Sequence, residues 1–112
     1  MQIDISCQHT SLTDGLREAI NEKFSKLANY TNDPITVHVT LSVAKHLHRV
    51  EAKVLVKGRP YDASHQSRDM YRAIDEIIPK IRRMMRKHKT EVEKRSRQTK
   101  ETIRRLDLAP LA

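Results

Sequence analysis

The sequence predicts an α+β domain in the order β-α-β-β-β-α, a four-stranded mixed sheet with two helices packed on one face. Three observations carry this expectation. In residues 1–7, 35–43, 50–56 and 59–64, apolar and polar side chains alternate, the period of strands with one buried face. In residues 13–30 and 67–92 the apolar residues fall three and four apart, the period of helices with one buried face. Clusters of turn-forming residues, Thr31-Asn32-Asp33-Pro34 and Lys57-Gly58, punctuate the pattern.

The first strand places Ile3, Ile5 and Cys7 on one side, with Gln2, Asp4 and Ser6 on the other. A helix start follows, with Ser11 or Thr13 as N-cap and Asp14 well placed for the helix dipole. Leu16, Ile20, Phe24 and Leu27 give that helix its buried stripe. In the second strand Ile35, Val37, Val39, Leu41 and Val43 face inward; in the third, Val50, Ala52, Val54 and Val56 do. A basic, phosphate-facing hairpin tip, residues 44–49, is expected between them. Pro60, which has no N–H for a ladder, puts the last strand at a sheet edge. The first two strands, joined through a helix, should run parallel with a right-handed crossover if they are neighbours in the sheet.

The last helix contains a proline. With about 100° per residue, Met70, Tyr71, Ile77, Ile78, Ile81, Met84, Met85, His88 and Val92 fall within about 80° of Ile74. The pattern crosses Pro79 without a phase break, and Pro79 itself lies on the outer face. There a lost hydrogen bond to the Asp75 carbonyl reinforces the curvature that packing on a sheet favours. One bent helix is expected. Its outer face then carries Arg72, Arg83, Arg86 and Lys87, flanked by Lys80 and Arg82, as a fixed array rather than a flexible tail.

Charge is distributed unevenly. The 112 residues carry twenty-two Lys and Arg against fourteen Asp and Glu, a net of +8. Residues 80–105 hold twelve basic and three acidic residues, a local net of +9, so the rest of the chain is at −1. Such an arm points to a polyanionic partner, and arginine's planar fork suits phosphate oxygens. Four aromatic residues, Phe24, Tyr30, Tyr61 and Tyr71, do not make a stacking platform for single-stranded bases, so phosphate backbone and folded RNA shape are the expected targets.

Other chemistry finds little support. Gly15 and Gly58 are the only glycines and form no phosphate loop. No nucleophile, base and orienting group can be named together, so neither catalysis nor a cofactor is expected. His46 and His48 fall short of the three or four ligands a metal site needs. The lone Cys7 suits a reducing compartment and reads as a small buried apolar side chain. The opening residues show no secretory signal, and no apolar run approaches the ~20 residues of a membrane span. A cytoplasmic protein is expected.

The stretch Asp69-Met70-Tyr71-Arg72-Ala73-Ile74-Asp75, followed by Lys80, Arg83 and Lys87-His88-Lys89, resembles the signature of bacterial ribosome hibernation factors. The match is to the short hibernation-promoting factor and ribosome-associated inhibitor A group. Leu16-Arg17-Glu18, Lys23-Phe24-Ser25-Lys26-Leu27, the opening Met1-Gln2-Ile3 and Ala63-Ser64 agree as well. The resemblance covers residues 1–90 and implies a fold like that of double-stranded-RNA-binding domains. It also implies docking between head and body of the small ribosomal subunit, over the mRNA channel and tRNA sites, silencing translation in starved or stationary cells. The implied partners are the small subunit and its ribosomal RNA, with no membrane, and the free protein is expected to be a monomer.

By that resemblance the RNA-binding residues are Lys23, Lys26, Lys80, Arg83, Lys87 and Lys89; Arg82 and Arg86 join them from the helical wheel alone. Asp69 and Tyr71 read as structural, one at the helix start and the other in the packing. Two features depart from the family pattern: Pro79, and a basic extension over residues 91–112, with a short helix expected at 99–106. That extension is too short to be the second, dimerising domain of long-form factors. Two other binding readings are a general double-stranded-RNA module without ribosome preference, and a basic amphipathic helix lying on an acidic membrane or partner.

Overall fold

The computed structural model describes residues 1–88. Strand β1 (Gln2–Gln8) leads into helix α1 (Asp14–Ser25) and a 3-10 helix (Lys26–Tyr30). Strands β2 (Ile35–Ala44), β3 (Leu47–Val56) and β4 (Arg59–Ser67) follow. Helix α2 occupies residues 70–88. Lys89, Val92, the domain boundary at 90 and the extension 91–112, with its expected helix at 99–106, lie outside the described residues.

The sheet order is β1-β2-β3-β4. β1 and β2 run parallel, pairing Ile3 with Val37, Ile5 with Val39 and Cys7 with Leu41. The other two ladders are antiparallel. This is the expected α+β arrangement, with Pro60 on an edge strand, where a residue lacking an N–H is tolerated.

Thr13, not Ser11, caps α1: its hydroxyl accepts from the Leu16 amide at 3.1 Å and its carbonyl from Arg17 at 3.0 Å. The expected single helix over 13–30 divides at Ser25, because the Lys26 amide reaches both the Lys23 and Phe24 carbonyls and tightens the turn. Asp69 caps α2 by accepting from the Tyr71 amide at 3.1 Å, while its carbonyl accepts from Ala73 at 3.0 Å.

One layer of apolar side chains lies between helices and sheet. Ile20, Phe24 and Leu27 from the first helical segment meet Val37, Leu41, Val50 and Val54 from the sheet and Ile74, Ile77 and Ile81 from α2, all fully buried. Helix α2 runs unbroken through Pro79, so the proline does not divide it. Burial of several large side chains, at ~1.5–3 kcal/mol each, outweighs the ~3 kcal/mol a mid-helix proline can cost.

Three further local expectations change. The hairpin between β2 and β3 is tighter than residues 44–49: Ala44 pairs with Leu47, leaving Lys45 and His46 as the turn, with Lys45 at φ 58. β4 extends to Ser67, three residues further than its alternation showed, because ladder bonds to β3 continue where side chains are polar. Tyr71 is not core; it is 47% exposed. It sits in the first turn of α2 at the margin of the apolar stripe, and its hydroxyl would lie 2.6 Å from a Cβ on Gly15. It therefore leans across the start of α1 instead of pointing at the sheet.

Candidate nucleic-acid interface

The two helical segments run parallel. Tyr71 meets Gly15, Asp75 pairs with Lys23, and Arg82 reaches Tyr30, so contacts advance in the same direction along both. On its other side α2 borders β4, where Glu76 engages His65 and Lys80 donates to the Ser64 carbonyl at 2.9 Å. A ridge results, with one flank toward α1 and one toward the sheet edge.

These contacts sort the expected site residues. Arg82 and Arg86 lie on the α1 flank, Lys80 on the β4 flank, and the exposed Arg83 and Lys87 on the crest between them. Lys23 and Lys26 come from the neighbouring helical segment, Lys23 ion-paired to Asp75 at 3.2 Å and Lys26 exposed. Lys80 therefore points away from Lys23 and Lys26. Among the described residues, Lys26, Arg83 and Lys87 make no ion pair with the protein.

Tyr30 organises the α1 flank. The Arg82 guanidinium donates to its hydroxyl at 3.2 Å and sits 5.9 Å from its ring centroid, while the Arg86 guanidinium sits 5.5 Å from the same centroid. The Arg82 hydrogen bond, with the charge of both arginines, holds the phenol below its usual pKa. Sequence reasoning missed Tyr30: it lies 52 positions from Arg82, and no periodicity connects a helix end to a helix middle at that range.

The charges of α2 are segregated along its length. In its first half Asp69 caps the helix, Asp75 pairs with Lys23, and Glu76 accepts from Arg72 Nε at 2.8 Å as well as from His65. Those hydrogen bonds, Arg72's first and His65's second, draw the Glu76 carboxyl below its usual pKa. From residue 77 to 88 there is no carboxylate. Arg82/Arg86 and Arg83/Lys87 are like-charged pairs four apart, an arrangement that costs a helix ~0.2–0.5 kcal/mol per pair. An external anion relieves that repulsion.

Among the described residues no three His, Cys, Asp or Glu side chains are grouped to hold a metal ion. No helix among them is long and apolar enough to cross a membrane.

Comparison with known proteins gives this geometry a lineage. The chain is 39% identical over 89 residues to the ribosome hibernation promoting factor of Escherichia coli K12, covering 80% of this chain and 94% of that protein. It is 35% identical over 89 residues to the factor of the same name from Pseudomonas putida KT2440, covering 80% and 87%. In fold it matches the crystal structure of the Thermus thermophilus Protein Y N-terminal domain with a TM-score of 0.75 at 24% identity, over 79% of this chain and 99% of that one. A ribosomal subunit interface protein from Coxiella burnetii superposes with a TM-score of 0.72 at 24% identity, over 80% and 99%. The family described as Sigma 54 modulation protein / S30EA ribosomal protein matches residues 3–93. With nearly the whole domain inside that match, the chain belongs to the Sigma 54 modulation protein / S30EA ribosomal protein family.

Proposed function

We propose that this protein is a ribosome hibernation factor that inhibits translation by binding the small ribosomal subunit. The binding surface is the α2 ridge with the adjoining Lys23 and Lys26. The site is the mRNA channel and the tRNA sites, and the setting is the cytoplasm of starved or stationary-phase cells. The protein acts by occupancy, without catalysis or cofactor, and is a monomer when free.

One observation carries this reading: residues 77–88 of α2 include no carboxylate and hold like charges in a fixed array, two of them against Tyr30. Arginines already ordered lose less freedom on meeting phosphates than arginines on a flexible tail. Relatives at 35–39% identity bearing the name ribosome hibernation promoting factor support the choice of ribosomal RNA as the polyanion. Lys26, Arg83 and Lys87 are the first contacts, because none must abandon an ion pair among the described residues.

Binding to purified small subunits and to free duplex RNA at matched salt tests the reading. Preference for the subunit is expected, with log affinity falling by ~0.7–0.9 per phosphate neutralised as log salt rises. Equal affinity for both would instead favour a general double-stranded-RNA module.

A further inference from the structure

A second cationic cluster lies at the far end of α2. The β2–β3 turn brings Lys45 and His46 beside His48 of β3, and the chain returning from β4 adds Arg68, so these four line one concavity of about 510 Å³. None is a carboxylate. Asp69, the next residue, turns its carboxylate to the Tyr71 amide as the helix cap. His48 pairs with Ser67 across the ladder, and its buried Nδ1 has no hydrogen-bond partner among the described residues. The cluster thus offers an ammonium, a guanidinium and two imidazoles around one concavity, and its chemistry fits phosphate oxygens.

Its position gives it meaning. From residue 70 to residues 83–87, α2 rises about 20–26 Å at 1.5 Å per residue. Between the ends, Asp75 is paired to Lys23 and Glu76 to Arg72 and His65, a band of near-neutral surface. Two cationic patches divided by a neutral band do not describe one groove that follows a single strand. We propose that Lys45, His46, His48 and Arg68 form a second RNA-backbone site, so that the protein clamps two separate backbone segments, one at each end of α2. This rests on the reading that the α2 ridge meets ribosomal RNA. It adds that the footprint is bipartite and that the hairpin contributes to affinity independently of the ridge.

The test uses the full chain and purified small subunits, with affinity measured across a salt series. Lys45→Gln/Arg68→Gln should weaken binding and reduce the salt slope by about 1.4–1.8, the effect of two lost phosphate contacts at 0.7–0.9 each. Arg83→Glu/Lys87→Glu is compared in parallel. A photo-crosslinker at His46, in the otherwise unaltered protein, should label an RNA segment different from the one labelled at Lys87. This readout does not depend on how the substitutions fold. Unchanged affinity and slope in the hairpin variant, or crosslinks from position 46 only to ribosomal protein, would overturn the second site while leaving the ridge intact. Undiminished binding by the ridge variant would overturn the underlying reading instead.

Discussion

The hydroxyl of Tyr30, at the end of the 3-10 helix, accepts a hydrogen bond from Arg82 in the middle of α2, and the ring beneath it carries Arg82 and Arg86. This contact joins the two helical segments on the face where the protein is proposed to meet RNA. It fixes the direction of two guanidiniums, so its removal should be felt in binding more than in folding. Tyr30→Phe should change stability by no more than about 1 kcal/mol yet weaken subunit binding severalfold. Thermal unfolding beside a subunit-binding curve checks this, and Tyr30→Ala, which also removes the ring, should show the larger loss.

Glu76 sets an acid limit on the helix–sheet joint. Its carboxyl is lowered below its ordinary value of 4.5, mainly by the Arg72 hydrogen bond and then by His65. For a carboxyl lowered on folding, the stabilisation is fully present above the ordinary value and disappears as pH falls through the lower folded-state value. Denaturant unfolding from neutral into acid should therefore show a steeper loss for the wild type than for Glu76→Gln.

Gly15 and Tyr71 should be energetically coupled. A Cβ at Gly15 would meet the Tyr71 hydroxyl at 2.6 Å, but that hydroxyl ends a half-exposed side chain able to swing away. Gly15→Ala gains up to about 1 kcal/mol of helix propensity, part of which displacement of Tyr71 consumes. The substitution should stabilise a Tyr71→Ala background more than the wild type, a difference read from a double-mutant thermal cycle.

Much of this was legible in the sequence because each element repeats its signal. The alternation in β2 and β3 and the three-and-four spacing of Ile74, Ile77, Ile78 and Ile81 gave the order of elements along the chain, the layering and the outer basic face. What stayed hidden were pairings between distant segments of similar polarity. Nothing in the local pattern distinguishes Tyr30 from a helix-end aromatic, assigns Lys80 to the Ser64 carbonyl, or brings Arg68 to the hairpin tip. Tyr71 misled because a position at the margin of a helical stripe belongs to the core only if a neighbour covers it. Here α1 offers a glycine and the ring remains 47% exposed.

Helix α2 accommodates Pro79, and folding should not depend on it. Pro79→Ala restores an amide that can reach the Asp75 carbonyl and should raise stability by about 1–3 kcal/mol. Subunit affinity should nevertheless change, because the restored bond alters the direction of the helix segment bearing Arg82, Arg83 and Arg86. Unfolding midpoints and subunit affinity, measured on the same preparation, separate the two effects.

The most direct measurement is the affinity of Arg83→Glu/Lys87→Glu for purified small ribosomal subunits, beside the wild type, with circular dichroism and thermal unfolding confirming the fold. Both side chains are exposed on the crest of α2, so the domain should unfold at close to the wild-type temperature. Two lost charge-assisted contacts at ~1.5 kcal/mol each predict a loss of about 100-fold or more. A folded variant that binds the subunit as the wild type does would show that the α2 ridge is not the surface that meets RNA.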